Sequence, residues 1–390
     1  MSTPSLHAVF LIYFYEPDLK TPDALLDRYS TIRPLAQALH KEGALVTVLQ
    51  RFHQRVSFTD EGVCFEFHAD DCDPNLRKWQ IPRSFHAAVR DASERYGSMQ
   101  IAVHVHGLFY PLQTRSLRSV LSADCAMVAQ HHAEHPWGTL RRPLQRWGLR
   151  PVDGFFFTAR KLAECWVDQG LILKRQPIFE VMEGSTCFRG EERRVARART
   201  GLAGAPTIVW VGNLTANKDP LTVLAGFEQI LQQVPEARLY MAYQATDLLG
   251  AVRDRIASSP SLCSAVTLLG RVAHPQLEDV YNSADYFVLG SHYEGSGFAL
   301  AEAMACGVVP VVTAIPSFIA MTDNGHAGAC WAVGDSDAFT RAFLGILRQP
   351  LEDLSKRVRR FFDQRLSYPA IARASLSAYN KLLSARTRRA

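Results

Sequence analysis

Short apolar runs separated by longer stretches of helical period recur along this chain, and that alternation restricts it to parallel strands joined by helical crossovers. AVFLIYF (8–14) precedes the helical LLDRYSTIRPLAQALHKEG (25–43), which leads into ALVTVLQ (44–50). IAVHVHG (101–107), CAMVAQHH (125–132) and GFFFTA (154–159) read as further strands, each entering a polar or aromatic loop. The stretch 60–85 is polar and aromatic without clear period. A charged segment, RGEERRVARART (189–200), interrupts the pattern near the middle and marks a domain boundary. The alternation then restarts with PTIVWVGN (206–213) and the amphipathic PLTVLAGFEQILQQV (220–234). Strands ARLYMAY (237–243), AVTLLG (265–270), DYFVLGS (285–291) and VVPVVTA (308–314) follow, and 351–388 is largely helical and basic.

At 390 residues the chain is long enough for two domains, because single cores rarely grow far beyond ~250 residues. The expected architecture is α/β, two doubly wound domains, with ligands at the C-terminal ends of the strands. The expected boundaries are 1–188, a linker 189–204, 205–365, and a C-terminal helix with a basic tail over 366–390. That tail is expected to pack back on the first domain, with RTRRA frayed at its end. A net charge of +5 gives no general nucleic-acid footprint. The eight cysteines are scattered without a CxxC pair, which suits reduced thiols in a cytosolic protein. No basic residue precedes AVFLIYF and no cleavage site follows it, so it reads as a buried strand, and no apolar stretch reaches membrane-spanning length.

The stretch YEGSGFALAEAMACG (293–307) sits between a strand and a helix. Gly295 and Gly297 let the backbone turn tightly and approach a ligand without a Cβ in the way. Amides of Gly297, Phe298 and Ala299 would then lie at a helix N-terminus, where free N–H groups and the dipole favour phosphate. Glu294 on the turn and Glu302 within the helix could both face one crevice and accept hydrogen bonds from hydroxyls. The alternative is a capped helix with Glu302 stabilised by the dipole.

EGSGFALAEAMACGVVPVV closely resembles the E-x7-E motif of retaining glycosyltransferases with the GT-B fold, specifically glycosyltransferase family 4 (group 1). VGNLTANKDPLTVLAGF resembles that family's G-R-L-x-x-x-K-D segment, and VTLLGRVAHPQLEDVYNSADYFVLGS and GHAGACWAVGDSDAF resemble its flanking segments. The resemblance implies two Rossmann-like domains facing across a cleft, with the acceptor on the first and a nucleoside-diphosphate sugar on the second. It implies no metal and no cofactor beyond that donor, expected to be UDP- or GDP-linked, and a hydroxyl acceptor. Glu294 would contact the sugar and Glu302 the ribose. Amides around Gly297, Phe298 and Ala299 would hold the diphosphate, with Gly212, Asn213 and Lys218 on the loop opposite. A lysine there offsets charge building on the leaving nucleoside diphosphate. Asn213 stands where the family commonly has arginine, which shifts that task to Lys218 or to Arg271. Arg271 and Val272 fall near the family's nucleobase loop, although Arg271 also reads as a plain surface residue.

The histidines of HVHG (104–107) and AQHHAEHP (129–136) admit a metal site, packing, or a sugar contact. The resemblance favours His132 at the end of its strand as the residue facing the donor sugar, with His106 a second candidate. The first strand–helix loop, YFYEPDLKTPD (13–23), lacks the family's Gly-Gly pair and offers Glu16 instead. EVMEGSTCF (180–188) carries Glu183-Gly184 where the family usually has Asn-Gly. TLRRPLQRWGLR (139–150), with four arginines and a tryptophan, reads as a solvated helix or as a peripheral contact with an anionic membrane at its cytoplasmic face. A non-catalytic sugar-nucleotide-binding scaffold, or another sugar-nucleotide enzyme of this fold, is the competing function.

Overall fold

A computed structural model of the chain describes residues 6–97 and 99–388. The chain divides into two units, one of Met1–Gly184 with Tyr368–Ala390 and one of Ser185–Ser367. Strands of the first unit are β1 (Leu6–Ile12), β2 (Leu45–Arg51), β3 (Val56–Asp60), β4 (Val63–His68), β5 (Gln100–His106), β6 (Ala126–Gln130), β7 (Gly154–Phe157) and β8 (Ile178–Glu180). They form one sheet in the order β3-β4-β2-β1-β5-β6-β7-β8, parallel except for the β3–β4 edge pair. β1 is buried along its whole length, as its uninterrupted apolar run requires of a central parallel strand.

Two sequence expectations fail in this unit. The single helix over 25–43 is two, Pro22–Arg28 and Ile32–Lys41. Pro34 explains the break, because proline fits the first turn of a helix but not its interior. The region left without period opens with the β3–β4 hairpin, whose Glu61-Gly62 turn holds both residues at positive φ (44° and 81°).

The second unit contains β9 (Thr207–Gly212), β10 (Arg238–Tyr243), β11 (Val266–Gly270), β12 (Tyr286–Leu289), β13 (Val309–Thr313) and β14 (Ala329–Trp331). Their order, β11-β10-β9-β12-β13-β14, is entirely parallel and reverses direction between β9 and β12. Loops leaving those two strands therefore flank the crevice where such sheets bind ligands. The segment expected as a linker over 189–204 belongs to this unit. Its helix Arg193–Thr200 docks through Arg197, which donates to Asp285 Oδ2 at 2.8 Å and to the Ser283 carbonyl at 2.9 Å. The buried Asp285 converts a stretch that reads as solvated into a packed element.

After Ser367 the chain returns to the first unit with the helix Tyr368–Thr387. Tyr379 is buried, hydrogen-bonded to His104 Nδ1 at 2.7 Å and stacked on Phe156 at 5.8 Å. Leu382 and Leu383 are buried too, each such side chain contributing about 1.5–3 kcal/mol. Arg386 pairs with Asp153 at 3.0 Å, so the helix is held to its end rather than frayed; Arg389 and Ala390 of the basic tail lie outside the described residues.

Candidate functional site

The loop after β9 and the loop after β12 are clamped together by one side chain. Asn217 accepts a hydrogen bond from the Tyr293 amide at 3.1 Å through Oδ1 and donates through Nδ2 to the Tyr293 carbonyl at 3.0 Å. The His292 amide donates to the Asn217 carbonyl at 2.8 Å. Asp219, at φ 42°, caps the helix Pro220–Leu231 by accepting from the Thr222 amide, and its second oxygen meets His292 Nε2 at 3.1 Å. With the loops so fixed, Lys218 Nζ donates to Glu294 Oε1, which also accepts from Ser291 Oγ at 2.6 Å. Both members of the pair are largely buried, at 19% and 14% side-chain exposure. The structure thus brings Lys218 and Glu294 together.

Asn213 does something different. Its Oδ1 accepts the Ala245 amide at 3.1 Å while the Leu214 amide donates to the Ala245 carbonyl at 3.0 Å, so the side chain shapes its own loop. Gly212 closes β9 beneath it.

Gly297 precedes the helix Phe298–Ala305 at φ 57°. A Cβ there would lie 2.5 Å from Phe318 Cε1, so glycine is required by conformation and by space. The first helical bonds run from the Leu300 and Ala301 amides to the Gly297 carbonyl, leaving the amides of Phe298 and Ala299 ahead of them at the positive end of the helix dipole. Glu302, one turn further on, is buried and accepts from His274 Nε2 at 2.8 Å and from the Tyr281 hydroxyl at 3.0 Å. Its hydrogen bond lifts the His274 pKa, and burial together with the Glu302 charge pushes Tyr281 well above its ordinary value. Among the described residues Glu294 and Glu302 share no partner: one is tied to a lysine and a serine, the other to a histidine and a tyrosine. Arg271 is exposed just beyond β11, and Val272 beside it is half-buried.

In the first unit β6 ends at Gln130, so His131 and His132 lie beyond the strand that was expected to carry them. His131 is a packing residue. It is buried, stacks on Phe157 at 4.6 Å, and donates from Nε2 to the Glu134 carbonyl at 2.9 Å. His132 keeps a quarter of its side chain exposed, and its Nδ1 pairs with the Glu183 carboxylate. Burial works against charge on His132, but Glu183, by charge and hydrogen bond, and the Glu134 charge outweigh it and raise the pKa. Glu134 fixes the surrounding backbone, accepting the Leu108 amide at 2.6 Å and the His132 amide at 2.5 Å around Ala133, which is held at φ 66°. His106 is buried against Phe10, with His104 stacked on it at 4.3 Å and His132 5.6 Å away. Burial drives the His106 pKa well below 6.5 and, helped by the His132 charge, takes His104 to about 3. Glu16 is engaged locally, with Arg28 at 3.0 Å and the Tyr29 hydroxyl at 3.2 Å.

Sequence reasoning overlooked Asn217, Ser291, His274, Tyr281 and Glu134, and it singled out Glu183 without giving it a role. Only Asn217 carried a visible signal, its place in the quoted segment ANKDP. Among the described residues no group of three or more His, Cys, Asp or Glu side chains could hold a metal ion. No helix among them is long and apolar enough to cross a membrane.

Comparison with known proteins follows these elements. The family described as "Glycosyl transferases group 1" matches residues 205–349, which hold both loops and the glycine turn. The chain is 37% identical over 128 residues to the mannosylfructose-phosphate synthase of Agrobacterium fabrum, covering 31% of this chain and 28% of that protein. It is 30% identical over 254 residues to the GDP-mannose:cellobiosyl-diphosphopolyprenol alpha-mannosyltransferase of Xanthomonas campestris, covering 64% and 63%. The chain thus spans less than two thirds of the length of either relative. Among solved structures, sucrose-phosphate synthase from Thermosynechococcus elongatus superposes with a TM-score of 0.68 over 97% of this chain and 100% of that one, at 19% identity. Anabaena HepE, solved with UDP, gives 0.66 over 96% and 99%, at 12% identity. These structures establish the two-sheet fold of GT-B glycosyltransferases. Residues 205–349 of the second unit match the group 1 glycosyl transferases, and the chain as a whole shares the fold of those enzymes.

Proposed function

We propose that the protein is a retaining glycosyltransferase that moves a hexose-type sugar from a nucleoside-diphosphate donor to a hydroxyl acceptor. The Lys218–Glu294 pair, held by the Asn217 clamp beside the open N-terminus of Phe298–Ala305, carries this reading. A cation, a carboxylate and two free amides side by side match a ligand in which phosphate and hydroxyls are neighbours. Lys218 then faces the diphosphate and offsets the charge that develops as it leaves. Glu294 accepts from sugar hydroxyls, and Glu302, already accepting from Tyr281 and His274, takes the ribose hydroxyls. Arg271 and Val272 border the base. The relatives' use of GDP-mannose and the UDP-bound HepE structure favour GDP- or UDP-linked donors. Neither a metal ion nor a further cofactor is assigned a step.

Thermal-shift measurements against UDP-, GDP- and ADP-sugars test the donor, because a ligand at 100 times its Kd stabilises by about 2.7 kcal/mol. Lys218→Ala and Glu294→Ala are expected to abolish transfer while far-UV circular dichroism is retained. Full activity in both variants overturns the site. Binding of the donor without release of nucleoside diphosphate favours the scaffold reading.

A cytoplasmic protein with peripheral membrane contact through 139–150 completes the proposal. Leu140 is 98% exposed, and Leu144 and Trp147 on the helix Arg142–Leu149 are about half exposed among Arg141, Arg142, Arg146 and Arg150. An apolar tip ringed by guanidinium groups suits an anionic headgroup layer. Cosedimentation with phosphatidylglycerol vesicles but not phosphatidylcholine vesicles is the expected result.

A further inference from the structure

Glu183 lies just beyond β8 and is buried, and its carboxylate meets His132 Nδ1. His132 Nε2 has no protein partner among the described residues. A carboxylate can only accept, so Nδ1 carries a proton and the free nitrogen is the one turned away from Glu183. We propose that Glu183 is a positioning residue, which fixes the His132 ring and offers Nε2 to a hydroxyl or phosphate oxygen of a ligand held by the first unit. This rests on the glycosyltransferase reading for its consequence, though not for its geometry.

The surroundings agree in sign. Glu183 reaches the ring from the segment after β8, and Glu134 reaches its backbone amide from the loop after β6. His106 on β5, His104 behind it and His131 on the adjoining loop are buried and held neutral, so no second cation competes. Two carboxylates and one free imidazole therefore favour the imidazolium, whose Nε2–H is a charged donor. Glu183 here adds the charge to the orientation.

The test compares Glu183→Gln with wild type in the full chain. Histidine side chains are labelled with carbon-13 and titrated by NMR, and the His132 signal is assigned by its loss in His132→Asn. In wild type His132 is expected to titrate above 6.5, and in Glu183→Gln to fall by about one pH unit or more, the size associated with removing an adjacent opposite charge. An unchanged titration overturns the proposal, whatever the enzyme does. In transfer assays the alkaline limb of the kcat/KM profile should move to lower pH by the same amount, and an unmoved limb overturns the link to the transfer reaction. Absence of transfer from every donor with wild-type protein counts against the glycosyltransferase reading alone, since the titration still decides whether Glu183 governs His132. Glu183→Ala is expected to lose orientation as well, lowering kcat at least tenfold further than Glu183→Gln, and equal loss in the two variants argues against a positioning role.

Discussion

Replacing Gly297 with alanine perturbs one backbone position at the entrance of the helix that bears Glu302. Two penalties are present. A non-glycine residue at φ 57° costs about 1 kcal/mol or slightly more, because its Cβ crowds its own backbone. The new Cβ also lies 2.5 Å from Phe318 Cε1, and Phe318 is fully buried, so the ring must shift within a packed core at about 1–3 kcal/mol. The total is about 3 kcal/mol, which for a unit of this size lowers Tm by about 6–12 °C. Differential scanning fluorimetry and urea unfolding measure it directly. Phe318→Leu provides the control. In its background the clash is relieved while the φ penalty remains, so Gly297→Ala should then cost only about 1 kcal/mol. The double-mutant cycle separates the two penalties. A loss below about 0.5 kcal/mol in the wild-type background, or one unaffected by Phe318→Leu, refutes the account of why glycine stands there.

Asn217→Ala removes the two side-chain hydrogen bonds from Asn217 to the Tyr293 backbone, so kcat is expected to fall more than tenfold with a stability loss of only about 1–2 kcal/mol; unchanged kcat/KM excludes the clamp. Tyr379→Phe strips buried His104 Nδ1 of its partner and is expected to destabilise the first unit by about 1–3 kcal/mol in urea without altering donor affinity. Burial lowers His7 and His86 to about 4 and His104 to about 3, with Arg95 also acting on His7 and His132 on His104. These three stay neutral in the fold but bind protons near 6.5 when unfolded, so their stabilisation is present above pH 6.5 and is lost as pH falls toward 4. Tm of the first unit should therefore decline steadily between pH 6.5 and 4, and a flat profile there is the contrary result.

The strands were legible because a parallel strand buried on both faces must be an unbroken apolar run, and TIVWVG and YFVL are that. The glycine turn was legible for a similar reason: Gly297 answers a local backbone demand, and local demands leave local marks. Partnerships across the chain leave none. Nothing around His274 or Tyr281 announces that both will meet Glu302, and the arginines of 193–199 read as solvated until Asp285 is placed against them. Asn213 shows the converse. Its position matches an arginine of the family, yet its carbonyl is spent on Ala245, a contact set by loop conformation rather than by spacing. The adjacent His131 and His132 divide between core and site because β6 stops one residue before them, and strand ends are the least legible boundaries in any sequence.

The return of Tyr368–Thr387 to the first unit has a consequence for biosynthesis. Most of the first unit is made before Ser185–Ser367, yet the tyrosine that caps His104 and the Leu382 side chain over β7 are made only after it. Until then its sheet waits with an apolar face uncovered while the whole of Ser185–Ser367, a contiguous segment, is free to fold. Vectorial synthesis thus matures the later domain before the earlier one, and the nascent first domain is the species that needs chaperone protection.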